Sequence, residues 1–324
     1  MSPIGEIANL PDLQEAVEFI TREDDFLVTS HVNSDGDGIG SCLAMQAMLE
    51  NTGKKASVIL QDISPAYDFM DGWENIQLAA APPPVKWRNA IVLDCPILER
   101  IGHVQHYLDA DTRILNIDHH ENGQCFGSAN LMLPTASSCC ELVYQLARAA
   151  GLQLDASLAE LLYTGILFDT GSFRYSLTTA TTFEVAADLV RHGARLDYIS
   201  DQLFRNKDFA SVKLLGKAIG SLTLYDDGRI ATLHLSHADM RSGDAEEVIN
   251  YGLLVKGVEV AVLLKEHEPD SYRISLRSRN QVDVGLIAAH FDGGGHAKAS
   301  GCQLRGPAEE VEQKLLDKIR KHLL

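Results

Sequence analysis

The stretch Ile114-Leu115-Asn116-Ile117-Asp118-His119-His120 decides how the rest of the chain is read. Ile114, Leu115 and Ile117 are residues that fill a buried strand. A carboxylate and two imidazoles stand at the end of that strand. A strand terminus aims consecutive side chains in different directions from a rigid base. One imidazole can therefore take a metal while its neighbour faces a substrate. Taken alone, these residues read equally well as a polar loop, so the choice turns on whether other strands end in the same way.

They do. FLVTSHV (26–32) reads as a strand that runs into HVNSDGDG (31–38), which carries His31, Asp35 and Asp37. AIVLDCP (90–96) reads as another, ending at Asp94, and a helix predicted over 156–173 presents Asp169 within FDTGSF. Separate elements thus each offer a carboxylate or an imidazole. Asp35, Asp37, Asp94 and Asp169 together carry a charge that two divalent ions would balance; without cations they repel and raise each other's pKa. Mixed imidazole and carboxylate ligation favours Mn²⁺ over Mg²⁺. A metal pair about 3.5–4 Å apart can activate water and hold a phosphoryl oxygen during in-line displacement. Gly36, Gly38 and Gly40 are expected to let the backbone turn tightly beside the ions. A surface turn rich in Asp and Gly explains any one of these stretches but explains all of them together poorly. An EF-hand needs a longer acidic spacing that ends in Glu.

Outward from these strands, 11–21 reads as an amphipathic helix with Leu13, Val17 and Ile20 on one face. Residues 38–53 read as a helix closed by Gly53, and 56–61 as a strand. The Pro-rich stretch 79–87 is too poor in donors for regular structure. Alternating strands and helices predict an α/β fold with a parallel sheet covered on both faces, its ligands at the carboxyl ends of the strands. Helices follow over 137–151, 156–173 and 181–193. The mostly polar run 196–222 is continuously helical in character and reads as a linker. Beyond it come a hairpin turned at Asp227-Gly228, a second turned around Glu268-Pro269-Asp270, and a terminal helix from Glu309. The expected organisation is a catalytic domain over 1–193, a helical linker over 194–221 and a smaller α/β domain over 222–324.

A length of 324 residues makes two domains the default. The net charge of -17 argues against a protein that coats long DNA or RNA by neutralising phosphates. It leaves room for a small anionic substrate held by local cations. The six cysteines show no C-x-x-C spacing, so reduced thiols are expected. The N-terminus lacks a basic start followed by an apolar run, and no stretch approaches the roughly 20 apolar residues that span a bilayer. A cytoplasmic location is the expectation. In the second domain, FDGGGHAKASG (291–301) runs three glycines into His296, which suits close approach of a phosphate. Arg277-Ser278-Arg279 at a strand end can grip one.

HVNSDGDGIGS, VLDCP, NIDHHENG, FDTGSF and FDGGGHAKASG, in that order, resemble the DHH phosphoesterase family with its DHH-associated C-terminal domain. Within it they look most like the oligoribonuclease and 3′-phosphoadenosine 5′-phosphate phosphatase branch. The related manganese pyrophosphatases share the first set of motifs but not GGGH, and the RecJ-type exonucleases are usually longer. The resemblance implies two divalent ions, Mn²⁺ by preference. His31, Asp35 and Asp94 would hold the first ion; Asp37, Asp94, His119 and Asp169 the second, with Asp94 bridging. Asp118 would orient the histidine pair and His120 would face the scissile phosphate. Gly293, Gly294, Gly295, His296, Arg277 and Ser278 would hold the substrate's phosphate and terminal nucleotide. The implied activity is hydrolysis of very short oligoribonucleotides to mononucleotides, removal of the 3′-phosphate of 3′-phosphoadenosine 5′-phosphate, or both. The implied partner is a short oligonucleotide or nucleotide, with no long nucleic acid and no membrane, and a homodimer is left open. A phosphodiesterase of linear or cyclic dinucleotides, a pyrophosphatase and a non-catalytic nucleotide-binding module are the alternatives.

Overall fold

The computed structural model describes residues 11–81, 83, 85–206, 208–241, 248–295 and 297–323. Helix α1 (Pro11–Arg22) buries Leu13, Ala16, Phe19 and Ile20, a spacing that a 3.6-residue period gathers on one face. It leads into β1 (Phe26–Thr29), α2 (Gly36–Asn51), β2 (Ala56–Leu60), β3 (Gln77–Leu78), β4 (Asn89–Leu93), β5 (Arg113–Asp118) and β6 (Ala129–Met132). These strands form one parallel sheet in the order β3-β2-β1-β4-β5-β6. The chain leaves β1 toward β2 on one side and returns to β4 on the other. That reversal makes a switch point between β1 and β4, where the turns at the carboxyl ends diverge and open a crevice.

Both sheet faces are apolar, because successive side chains point to opposite sides. Phe26, Val28, Ile91, Leu93, Leu115 and Ile117 share a core with α1 and α2 and with α3 (Cys139–Ala149), α4 (Ala156–Asp169) and α5 (Ala180–Arg191). Leu27, Ile59, Ala90, Val92 and Ile114 face the other way, onto Ile101, Val104 and Tyr107 of a 3₁₀ segment, Leu98–Tyr107. The short strand β6 was not expected from the sequence.

The strands that carry the site are shorter than their apolar runs. β1 stops at Thr29 and β4 at Leu93, so His31 and Asp94 stand in the turns beyond. Asp94 takes a left-handed backbone with φ of 52°. The three glycines expected in the turn instead form the start of α2 and are buried. A Cβ on Gly36 would lie 2.9 Å from the Phe168 ring, on Gly38 2.6 Å from Ser30 Oγ, and on Gly40 2.9 Å from the Leu161 carbonyl. Close packing of α2, rather than a tight turn, requires them.

The run 196–222 is parted into α6 (Leu196–Arg205) and α7 (Phe209–Gly220). Asp208 accepts from Ser211 N and caps α7, which starts a new helix there. The chain divides into compact units of residues 1–206 and 207–324. Ile199 of α6 lies in the first unit's core, and Leu214 and Ala218 of α7 in the second's.

The second unit continues with β7 (Thr223–Tyr225), β8 (Ile230–Leu235), α8 (Ile249–Leu254), β9 (Val260–Glu268), β10 (Ser271–Ser278), α9 (Val284–Ala289), β11 (Gly294–Gly295), β12 (Ala299–Arg305) and α10 (Ala308–Arg320). Its mixed sheet has the order β11-β12-β10-β9-β8-β7, with β8 and β9 parallel. Both predicted hairpins form. Asp226, Asp227 and Gly228 take positive φ in the first, and Asp270 in the second. Strand β12 was not expected, because its start reads as the small-residue run AKASG. Among the described residues no helix is long and apolar enough to cross a membrane.

Candidate active site

The carboxyl ends of β1, β4 and β5 bring His31, Asp94, His119 and His120 together, and α2 and α4 add Asp35, Asp37 and Asp169. Asp35 caps α2, its Oδ1 accepting from Asp37 N at 3.0 Å and Gly38 N at 3.2 Å. Asp37, in the first turn of α2, is fully buried. The first two N–H groups of α3 hold its carboxylate: Cys139 N reaches Oδ2 at 2.6 Å and Cys140 N reaches Oδ1 at 2.9 Å. A helix N-terminus offers unpaired donors and a positive dipole end, so a buried anion is tolerated there. Asp169, the last residue of α4, approaches His119 Nε2 at 3.1 Å.

Asp94 lies between the histidines. Its Oδ2 is 3.4 Å from His31 Nε2, and its Oδ1 is 3.5 Å from His119 Nε2 and 3.7 Å from His120 Nδ1. Three groups of possible ligand atoms emerge, each with all members within 4.8 Å: His31, Asp35 and Asp94; Asp37, His119 and Asp169; Asp94, His119 and His120. Asp94 and His119 each belong to two of them.

Burial and the charges of Asp94 and Asp169 raise Asp35 to about 7. Burial, Asp169 and Asp94 push Asp37 well above the ordinary value. Asp169 is raised mainly by burial, against the hydrogen bond with His119. Burial also pushes Asp94 upward, but the hydrogen bonds with His119 and His31 outweigh it and hold its carboxyl low. The same contacts work on the imidazoles. Burial opposes the charge on His119, yet Asp169 and Asp94 drive it up to about 12. The site thus draws positive charge onto His31 and His119 to balance crowded carboxylates. A divalent cation would meet that demand more fully, because its charge would offset several carboxylates at once and it binds neutral imidazole. The donor set of carboxylates and imidazoles fits such an ion.

His120 stands at the more exposed edge of this cluster. Its Nδ1 pairs with Asp118 Oδ1, and its side chain is 29% exposed while that of Asp118 is wholly buried. Asp118 Oδ2 has no hydrogen-bond partner among the described residues. Two contributions escaped the sequence. The α3 N–H groups behind Asp37 are backbone, marked only by Ser138 three residues before Glu141, the pattern of a helix start. Arg100, from the 3₁₀ segment, brings Nη2 within 3.3 Å of His31 Nδ1, and its carbonyl accepts from Val32 N. Five residues, Cys95 to Glu99, separate it from Asp94, and no sequence pattern links the two.

In the second unit Arg277 is half-buried near the end of β10. Ser278 corrects an expectation. Its hydroxyl donates to Val282 O at 2.6 Å and lies 3.2 Å from Ala297 O, so it ties two loops together rather than offering a free phosphate grip. The glycine run is corrected in part. A Cβ on Gly293 would lie 2.3 Å from the Gly301 carbonyl, and Gly295 has φ of 140° while pairing with Ser300. Close approach to β12 requires these two glycines, and of the three only Gly294, which pairs with Gly301, has open space where a Cβ would stand. His296 lies outside the described residues. Lys265, Arg273, Ser275, Gly293, Gly301 and Gln303 line an open pocket of about 570 Å³ on the sheet face next to this run, within the size range of small-molecule sites.

Residues 25–166 match the N-terminal domain of the DHH family, and residues 227–323 match the DHHA1 domain. The chain is 29% identical over 304 residues to the bifunctional oligoribonuclease and PAP phosphatase NrnA of Thermus thermophilus, covering 91% of this chain and 89% of that protein. It is 27% identical to the protein of the same name in Bacillus subtilis, covering 90% and 92%. Among solved structures, an exopolyphosphatase-related protein from Bacteroides fragilis superimposes with a TM-score of 0.89 at 26% identity, over 96% of both chains.

Proposed function

The chain belongs to the DHH family of phosphoesterases, its DHH domain followed by a DHHA1 domain, and from that premise we propose that it hydrolyses very short oligoribonucleotides to mononucleotides and removes the 3′-phosphate of 3′-phosphoadenosine 5′-phosphate. One observation carries this reading. The His31, Asp35, Asp94 group and the Asp37, His119, Asp169 group lie side by side, with Asp94 and His119 in contact between them. In the proposed assignment each group holds one divalent ion, Mn²⁺ by preference, with Asp94 shared. Bound there, such a pair lowers the pKa of water and neutralises charge that develops on a transferring phosphoryl group.

The chain's own residues supply the rest. The α3 N–H groups hold the Asp37 carboxylate in place. Asp118 accepts from His120 Nδ1, so that Nε2–H of the imidazolium would face the scissile phosphate and give its proton to the departing oxygen, leaving the neutral ring. Arg100 adds a cation beside His31. Arg277 and the uncrowded side of Gly294, where a Cβ would meet nothing, are the proposed holds for a terminal phosphate. An acidic chain suits a short substrate, which gains little from an extended basic track. A cytoplasmic enzyme is part of the same proposal.

The deciding experiment is product analysis with the Mn²⁺-loaded protein on four substrates: a diribonucleotide, 3′-phosphoadenosine 5′-phosphate, inorganic pyrophosphate and a 20-nucleotide RNA. Mononucleotides from the first and 5′-AMP from the second are expected, with the long RNA cut slowly. Turnover of pyrophosphate alone would replace this reading with a pyrophosphatase. Binding without turnover of any substrate would make the chain a nucleotide-binding module.

A further inference from the structure

Glu141 is a carboxylate that the proposed chemistry does not use, and it is 1% exposed. Burying a charge is costly unless hydrogen bonds compensate it. Ser138 caps α3 by accepting from Glu141 N at 3.0 Å. In a capping box the Glu side chain would return to the N–H of that capping residue. Here Glu141 Oε2 reaches one residue further back. It accepts from Ser137 Oγ at 2.5 Å and from Ser137 N at 3.3 Å, and it also takes the Thr182 hydroxyl at 3.0 Å. Thr182 stands in the first turn of α5, so one buried oxygen joins the starts of two helices.

The turn that Glu141 anchors touches the candidate metal centre twice. The carbonyl of Ala136, next to Ser137, lies 3.4 Å from His119 Nδ1. A proton on Nδ1 directed at that carbonyl leaves Nε2 as the free lone pair, on the side of Asp169 and Asp94. Three residues on, Cys139 N and Cys140 N hold the two oxygens of Asp37. His119 and Asp37 thus both take their orientation from residues 136–140, and Glu141 pins that turn from behind through Ser137. Ser138 already provides the helix cap, so capping alone does not account for the buried charge.

We propose that Glu141 is a positioning residue for the metal centre, fixing the 136–140 turn that orients His119 and Asp37. The inference rests on the reading of Asp37, His119 and Asp169 as metal ligands. Its test is Mn²⁺ affinity of the full chain by isothermal titration, read beside the thermal midpoint. Glu141→Ala is expected to weaken Mn²⁺ binding at least tenfold. Glu141→Gln, whose amide oxygen can still accept from Ser137 and Thr182, is expected to stay within about threefold of wild type. The control is Tyr144→Phe, which removes the 2.8 Å Tyr144 to Asp188 bond between α3 and α5 without touching the turn; it should leave affinity unchanged. Wild-type affinity in a folded Glu141→Ala protein overturns the proposal. So does an equal loss in Tyr144→Phe, which would mark general loosening of the helices. Should Glu141→Ala not fold, Ser137→Ala is read by the same criteria, with a smaller loss expected. A wild-type chain that binds no Mn²⁺ at all would remove the metal reading itself, whereas normal wild-type binding with an indifferent Glu141 removes only this inference.

Discussion

His120 Nδ1 lies 2.7 Å from Asp118 Oδ1, a direct hydrogen bond at the end of β5. The neighbouring His119 turns its own Nε2 toward Asp169 and Asp94 instead. Two adjacent imidazoles therefore sit in different electrostatic surroundings. Asp118→Asn keeps the shape of the partner but removes its charge, and with it the bias on the His120 tautomer. The expected outcome is a kcat about 10–100-fold lower with Mn²⁺ affinity nearly unchanged, since Asp118 is in none of the ligand groups. Because the pair acts as a unit, Asp118→Asn with His120→Ala should be little worse than His120→Ala alone. Steady-state kinetics on a diribonucleotide checks both statements; additive losses would separate the two residues.

Asp94 is the member whose removal should cost most. It touches His31, His119 and His120, and it belongs to two of the ligand groups. Asp94→Ala is expected to abolish metal-dependent hydrolysis, and excess Mn²⁺ should not restore it. Wild-type turnover at millimolar Mn²⁺ would sink the dinuclear assignment.

The elements of this centre were legible in the sequence because each acid or histidine follows a run apolar enough to mark a strand or helix. The parallel sheet follows from the same alternation, whereas the order of its strands does not. What escaped had a common physical cause. Strand ends are set by backbone pairing, so β1 and β4 stop before the residues their apolar runs suggest. The glycines of α2 answer to neighbours far along the chain, Phe168 and Leu161, which no local pattern names. The donors that hold Asp37 are backbone N–H groups of α3, present in every sequence and visible only once α3 is placed. Ser278 looked like a phosphate ligand because a serine beside an arginine is ambiguous until the loops at Val282 and Ala297 claim its hydroxyl.

That ambiguity yields a contrast between neighbours on β10. Arg277→Ala should raise KM for the nucleotide about 10–100-fold, the scale of a lost charge-assisted hydrogen bond, and leave metal content intact. Ser278→Ala should do the reverse. It removes the tie to Val282 and lowers the melting temperature, with KM almost unchanged. Metal loss in Arg277→Ala, or a KM effect confined to Ser278→Ala, would exchange their roles.

Glu312 of α10 gives a pH prediction away from the metal centre. Burial pushes its carboxyl up, but the hydrogen bond with His234 Nε2 at 2.8 Å leads the interactions that bring it below the ordinary 4.5. A carboxyl depressed in the folded state adds stability that is present above pH 4.5 and is lost as pH falls through the folded pKa. Glu312→Gln should therefore be less stable than wild type at pH 7, by under about 1 kcal/mol because solvent screens part of the pair. The deficit should shrink below pH 4.5. Thermal melts from pH 3 to 7 test the sign, and a deficit independent of pH would mean the carboxylate charge is not the cause.

Gly165, inside α4, makes the strongest packing prediction. An alanine in a helix interior normally stabilises it by about 1 kcal/mol relative to glycine. At this position a Cβ would lie 2.3 Å from Cys140 Sγ and 2.5 Å from Asp37 Oδ1. Neither neighbour can yield easily, because Cys140 N and Cys139 N hold the Asp37 carboxylate and fix it against α3. Overpacking of this kind costs about 1–3 kcal/mol, enough to reverse the sign of the helix term. Gly165→Ala should lower the melting temperature and, by displacing Asp37, weaken Mn²⁺ binding at least tenfold. Gly216 in α7 is the matched case, since a Cβ there meets nothing within 4 Å. Gly216→Ala should raise stability and leave Mn²⁺ affinity alone. If Gly165→Ala proved as stable and as metal-competent as Gly216→Ala, then α4 and Asp37 would have to be less tightly packed than these distances require, and the account of how Asp37 is held would fall with them.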